Sequence, residues 1–277
     1  MKFNKLTAIA FAVVLVALNA CKKEESTTNN TPTVNTDTIP SSYVKIGETY
    51  IIGASAKAVV YSTGNLFVGY NQLFVAMYDS VTNTRLNDGH FEAEPMMMMG
   101  DMEHSCPTEN QDVSIPTDKF WKANIIFTMA GNWHLHMHFH NHKVDMEGEG
   151  ELDINVVSPT LPLVKSTVIA ADDSSLLYVT LVSSKKPIAG LNNFEVALHK
   201  AESLTSYAAV NDYSVEIEPL MLSMGHGSTG NINPTFTADG HYKGTVNYSM
   251  PGAWRVKITL KKNGNVMDNT IYFDVTI

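Results

Sequence analysis

Cysteine, charge and long apolar runs are all scarce in this chain. Of 277 residues only two are cysteines, Cys21 and Cys106. Two thiols in unrelated contexts supply no framework of bridges, so disulfides do not hold this fold. Charged residues make up 17% of the chain and the net charge is −9 at pH 7. An acidic chain has no basic face with which to neutralise phosphates, which excludes nucleic acid as a partner. Catalytic signatures are missing too: there is no His-Glu-x-x-His, no Gly-x-Ser-x-Gly and no Cys-x-x-Cys. The chain is therefore not expected to be an enzyme. What is there suits a globular protein: 44% apolar residues, enough for a sizeable core, and length for two ordinary domains.

The one continuous apolar run is Leu6 to Leu18, preceded by Lys2 and Lys5. It is too short for a comfortable membrane span and reads as the core of a signal peptide. Leu18-Asn19-Ala20-Cys21 follows and resembles the lipobox of bacterial lipoproteins. The resemblance implies cleavage after residue 20 and acylation of Cys21, whose acyl chains would hold the protein at a membrane. Lys22-Lys23-Glu24-Glu25, with no Asp after the Cys, is similar to the export signals of Bacteroidetes lipoproteins. The expected place is the cell envelope, on the outer membrane, with either its periplasmic or its surface face. Residues 21–42 are rich in Ser, Thr, Asn and Pro, and cannot bury enough surface to offset ordering entropy. They are expected to be a flexible tether.

Beyond Val44 the chain repeats itself. Tyr70 to Tyr78 matches Leu191 to His199, Phe127 to Trp133 matches Tyr248 to Trp254, and Leu152 to Val156 matches Phe273 to Ile277, all at one constant offset. Pro95-Met96-Met97 faces Pro219-Leu220-Met221 at a slightly larger offset, so one copy carries a small insertion or deletion there. Each copy alternates apolar and polar residues, as in Trp254, Val256, Ile258 and Leu260 against Arg255, Lys257 and Thr259. Turn signals such as Asn87-Asp88-Gly89 and Asn263-Gly264 separate the runs. The pattern predicts an all-β protein: two tandem immunoglobulin-like antiparallel sandwiches, residues 43–158 and 163–277, parted near Pro159 and Pro162.

In the second copy, Pro219 to Gly227, then Gly240-His241-Tyr242, then Tyr248 to Ile258 together resemble the YtkA-like domain. The first copy departs from that pattern: Lys119-Phe120-Trp121 stands where Gly-His-Tyr stands in the second. The family is related in outline to FixH-like and CopC-like exported sandwiches. The kinship implies a periplasmic or surface module, with copper handling a recurrent theme.

The donor-rich stretch is Pro95 to His142. Registered on its twin, the strand after Gly131 turns Trp133, Leu135, Met137 and Phe139 inward, and His134, His136, His138 and His140 outward. Side chains two apart on one strand face lie roughly 6.5–7 Å apart at Cα, within reach of one shared ion. Imidazole suits Cu, Zn and Ni. A solvated His-rich face is the plain alternative. Met96 to Met99 correspond to Leu220 to Ser223, so some of them are core filler, while one alternate pair including Met99 can be exposed. Met102, His104 and Cys106 share a face if extended, and thioether, imidazole and thiol suit Cu(I). Met224 and His226 are their counterparts in the second copy. Cys106 is otherwise an unpaired thiol, free or awaiting another chain. Glu147, Glu149 and Glu151 read as a solvated edge. The expectation is a lipid-anchored lipoprotein that binds copper or another transition metal, zinc included, for sequestration, delivery or tolerance. A scaffold that presents loops to a protein partner without metal is the rival.

Overall fold

The computed structural model describes residues 39–170, 172–183 and 186–277. The expected signal peptide, Cys21 and nearly all of the tether lie outside the described residues. From Ile39 onward the chain is β-structure. The first half contains β1 (Val44–Ile51), β2 (Ala56–Ser62), β3 (Gly69–Asp79), β4 (Gly89–Met99), β5 (Met102–His104), β6 (Thr108–Asn110), β7 (Trp121–Phe127), β8 (Gly131–Asn141) and β9 (Met146–Val156). The second half contains β10 (Val164–Val168), β11 (Leu176–Leu181), β12 (Gly190–Ala201), β13 (Tyr207–Ala209), β14 (Ser214–Met221), β15 (His226–Gly227), β16 (Ile232–Ala238), β17 (His241–Tyr248), β18 (Ala253–Lys262), β19 (Asn265–Asp268) and β20 (Tyr272–Thr276).

Each half is an immunoglobulin-like sandwich of two antiparallel sheets. In the first, the order β1-β2-β3-β7-β6 faces the order β5-β4-β8-β9. In the second, β10-β11-β12-β17-β16 with β13 faces β15-β14-β18, which continues into β19 and β20. Each sandwich closes on its own core. Trp121, Trp133, Phe127, Phe139 and Leu73 fill the first; Trp254, Tyr242, Phe194 and Phe273 fill the second. A third, smaller cluster stacks Tyr43 on Phe74, with Phe120 and Ile39 beside them, so packing begins at Ile39, inside the stretch expected to be tether.

Period-two patterning decides which side of each strand is buried. Along β8 the residues Trp133, Leu135, Met137 and Phe139 are buried, and the histidines between them face outward. The turn into β8 is built around Gly131, at φ 135°, and Trp133 Nε1 donates to the carbonyl of Met129 at 3.2 Å. The second half repeats the device: Gly252 at φ 145°, and Trp254 Nε1 donating to Met250 at 3.0 Å. Another repeated device closes the loop before the long strand. Asn71 Nδ2 donates to the carbonyls of Phe67 and Gly69, and Asn192 Nδ2 to those of Ile188 and Gly190. A side-chain amide that satisfies backbone groups in this way replaces the ladder bonds a loop lacks, and in the first half it is buried with them.

Pairing register carries the site. Along β4 and β8, His90 lies opposite His140, Glu92 opposite His138, Glu94 opposite His136 and Met96 opposite His134. Along β8 and β9, His134 lies opposite Asp153, His136 opposite Glu151, His138 opposite Glu149 and His140 opposite Glu147. The end of β1 crosses the other face of β9, where Ile52 and Glu149 exchange backbone hydrogen bonds. That crossing needs Gly148 and Gly150: a Cβ on either would meet the carbonyl oxygen of Ile52 or Tyr50. With glycine on the covered side, the intervening glutamates must all face out with the histidines.

Candidate metal-binding face

The outer face of β4, β8 and β9 is a grid of imidazoles flanked by carboxylates. At one end, His134 Nδ1 lies 2.7 Å from Asp153 and 2.9 Å from Glu151. The ligand atoms of these three residues all lie within 4.8 Å of one another, the spacing a single ion needs. In the middle, His136 and His138 share an open groove of about 710 Å³ with Glu92, Glu94, Glu149 and Glu151. Four carboxylates around two imidazoles give this concavity a negative field that concentrates cations. His136 is 3.9 Å from Glu151 and His138 3.8 Å from Glu147, too long for hydrogen bonds, so both rings are only loosely engaged.

At the far end, His140 packs edge-on against His142, which packs edge-on against His90, with ring centroids 4.9 and 5.0 Å apart. His140 Nε2 contacts Asp145 at 3.0 Å and His142 Nδ1 contacts Asp88 at 2.7 Å. Carboxylates that bind an imidazole in this manner fix its tautomer and orientation, the arrangement that commonly supports a metal-ligating His.

The hairpin that follows β4 corrects one expectation. Met102, His104 and Cys106 do not share a face. Met102 is exposed and His104 half-buried, but the chain then turns inward and Cys106, 2% exposed, joins the first core among Phe91, Trp121 and Met137. Burial pushes its thiol well above the ordinary cysteine range, which keeps it protonated. The turn is fixed from both sides. Ser105 Oγ donates to the carbonyl of Pro95 at 2.8 Å, and a loop of the second half docks on the same residue. There Ser105 N donates to Leu204 O at 2.9 Å and Tyr207 Oη donates to Ser105 O at 3.0 Å.

Met99 and Met102 face each other across the hairpin. His104 stands edge-on to Trp133, with centroids 5.2 Å apart. Met224 is exposed on the matching hairpin of the second half, and His226 stands edge-on to Trp254 at 6.1 Å. Neither lies on the grid of β4, β8 and β9.

Sequence reasoning missed the carboxylate half of the grid. Glu147, Glu149 and Glu151 are exposed on β9, which ends its sheet apart from one bridge to Ile52, but they stand beside the histidines of β8 and not on a bare edge. The alternation Glu147-Gly148-Glu149-Gly150-Glu151 was the available signal. It also passed over His90, Glu92 and Glu94, whose place opposite the histidines depends on strand register.

A second polar cluster joins the two halves. His241 Nδ1 contacts Glu195 at 2.6 Å, and Glu109 also accepts from Tyr70 at 3.0 Å and Asn124 at 3.1 Å. Burial pulls the His241 imidazolium down, but its hydrogen bonds to Glu109 and Glu195 and their charges outweigh that and raise it to about 9. His199, buried beside them, is pushed down to about 4 by desolvation. Glu109, Glu195 and His241 are thus paired with one another, while His199 stands at 3.8 Å from Glu109 with its Nδ1 unpartnered.

Residues 172–259 match the YtkA-like family, a span that takes in Pro219–Gly227, Gly240–Tyr242 and Tyr248–Ile258. No curated protein matches the chain. Among solved structures it is similar to domains 5–6 of the S-layer protein SbsC at 12% identity and TM-score 0.29, over 84% of this chain and 98% of that one. It is similar also to invasin, a bacterial integrin-binding protein, at 12% identity and TM-score 0.26, over 80% of this chain and 39% of that one. The Yersinia pseudotuberculosis adhesin InvE aligns at 11% identity and TM-score 0.24, over 83% and 58% of the two chains. The sandwich architecture rests on the strand pairing described above and not on these distant likenesses.

Proposed function

We propose that this is an exported, lipid-anchored protein that binds divalent transition-metal ions on the His and carboxylate face of its first half. The observation that carries this reading is the convergence of His134, Glu151 and Asp153, with ligand atoms within 4.8 Å of one another. Imidazole nitrogen with carboxylate oxygen is a borderline donor set that suits Cu(II) and Zn(II), and offers little to Cu(I). Two features support binding as the role: the donors are repeated along the sheet, and they lie on an open face. A protein of this kind would sequester or hand on metal at the envelope. The lipobox around Cys21 and the tether would keep it there.

Calorimetry and competition titration of the full chain in detergent, with Cu(II) and Zn(II), test the reading. Binding tighter than ~10 μM is expected, and a combined His134→Ala, His136→Ala and His138→Ala variant should lose at least about tenfold in affinity. If the chain binds neither ion, the metal reading fails and the grid is left as a surface for a protein partner. If the triple variant binds unchanged, the site lies elsewhere.

A further inference from the structure

A second cavity, of about 320 Å³, lies off the grid where the two halves meet. Met99, Met102, His104 and Met129 line it from the first half, and Tyr178 and Tyr207 are among its walls from the second. The three thioether side chains are 44%, 61% and 40% exposed. They are therefore not core filler, unlike the buried Met97 and Met137. Exposed methionines clustered around one cavity are poorly explained by packing, since water gains nothing from them.

The imidazole supplies an independent sign. His104 Nδ1 lies 3.0 Å from the carbonyl oxygen of Ser105. A carbonyl can only accept, so Nδ1 carries the hydrogen and, in the neutral ring, Nε2 holds the lone pair. That Nε2 is buried and has no hydrogen-bond partner. A buried acceptor without a donor gives up its hydration and gains nothing in return, and native proteins seldom leave one without a use. The ring cannot flip cheaply to relieve it. Nδ1 is engaged, and the ring is held edge-on over Trp133.

We infer that this cavity is a binding site for a soft monovalent cation, Cu(I) in particular, held by the thioethers of Met99, Met102 and Met129 and by Nε2 of His104. Thioether and neutral imidazole select Cu(I) over divalent ions. Methionine's three rotatable bonds let the sulfurs close on an ion in a cavity wider than the ion itself. The aromatic walls shield the site, and Tyr207 has its hydroxyl committed to Ser105, so the walls bring no competing oxygen donor from that ring. The matching hairpin of the second half has the same ring geometry, with His226 Nδ1 2.8 Å from Gly227 O, but Ser223 follows Leu222 there where Met99 follows Met98. The site is thus assigned to the first half alone, and it is chemically distinct from the divalent face.

The test uses the full chain in detergent with Ag(I) as a diamagnetic stand-in, and Cu(I) in competition with a colorimetric Cu(I) chelator. In a sample labelled at the methionine methyls, Ag(I) is expected to shift the signals of Met99, Met102 and Met129 and to leave buried Met137 unmoved. The combined Met99→Leu, Met102→Leu and Met129→Leu variant keeps the apolar volume and should weaken Cu(I) binding at least tenfold with Zn(II) binding unchanged. His104→Gln should do the same. The grid variant at His134, His136 and His138 should show the reverse pattern. Unshifted methyl signals, or unchanged Cu(I) affinity in the Met variant, would overturn the inference whether or not the divalent face binds metal.

Discussion

His241 Nε2 of the second sandwich lies 2.8 Å from Glu109 Oε1 of the first. It is an ion pair shared between the halves, largely sheltered from water, and its titration reports on how they adhere. The raised His241 contributes stability that is complete below its ordinary value of 6.5 and is lost as pH climbs through about 9. Glu109 and Glu195 are held below the ordinary carboxylate value of 4.5. Burial opposes this, but hydrogen bonds from His241 and the charges around them prevail. Their contribution is lost as pH falls through those lowered values. His199 acts on the acid side as well. It resists protonation down to about 4, so the fold loses stability as pH drops below 6.5. The contribution of this cluster therefore peaks near pH 6.5, and a melting series across pH 4 to 10 should show it. In His241→Gln the alkaline decline should flatten. Glu109→Gln should cost about 1–3 kcal/mol, because it removes one of the two carboxylates that hold the His241 imidazolium and leaves Glu195 as its partner.

On the grid, Glu149→Gln with Glu151→Gln should weaken Zn(II) binding about tenfold or more. Metal-free stability should stay within about 0.5 kcal/mol, because both side chains are on the surface. Since ligands bind metal only when deprotonated, affinity at pH 5 should fall well short of that at pH 7.5. Titration calorimetry beside thermal melting separates the two effects. A large loss of stability with intact binding would make the carboxylates structural.

Glycine at the turn into the Trp strand is required in both halves, but not equally. Gly131→Ala meets the left-handed strain of φ 135° and a contact of 3.2 Å with the mobile end of Met97, and should cost about 1–3 kcal/mol. Gly252→Ala brings a Cβ to 2.5 Å from the Met221 terminus on top of similar strain, and should cost more. Urea unfolding of the two variants orders them. Equal midpoints would show that Met221 yields freely.

Cys106 should behave as a core residue. Thiol reagents should not label it until the chain unfolds, and Cys106→Ala should leave both Cu(I) and Zn(II) affinities unchanged. Cys106→Ser should cost about 1–3 kcal/mol for a hydroxyl buried without a ready partner. Labelling at the rate of a free thiol would contradict the burial seen here.

Much of the fold could be read from local pattern. Alternation fixed the inward set Trp133, Leu135, Met137 and Phe139 and the outward histidines between them, because the side-chain period of a strand is two whatever its partners are. What local pattern cannot encode is the identity of the neighbouring strand. Glu92 and Glu94 come to His138 and His136 through the β4–β8 register, and Met129 comes to Met99 and Met102 through a turn far along the chain. Cys106 escaped for a related reason. Spacing by twos assumes an extended chain, and the chain bends inward at Ser105, where tertiary hydrogen bonds hold it.

The contact of Tyr207 with Ser105 implies a division of labour. Every donor of the grid and of the thioether cavity belongs to the first half, whose sequence strays from the family pattern. Tyr207, from the half that matches the family, lines both the groove and the cavity without offering a strong ligand to either. On the proposed reading, one sandwich holds the ion and its neighbour walls the cavity. Severed from the second half, the cavity beside Met99 and Met102 would lose its tyrosine walls and stand open to bulk water.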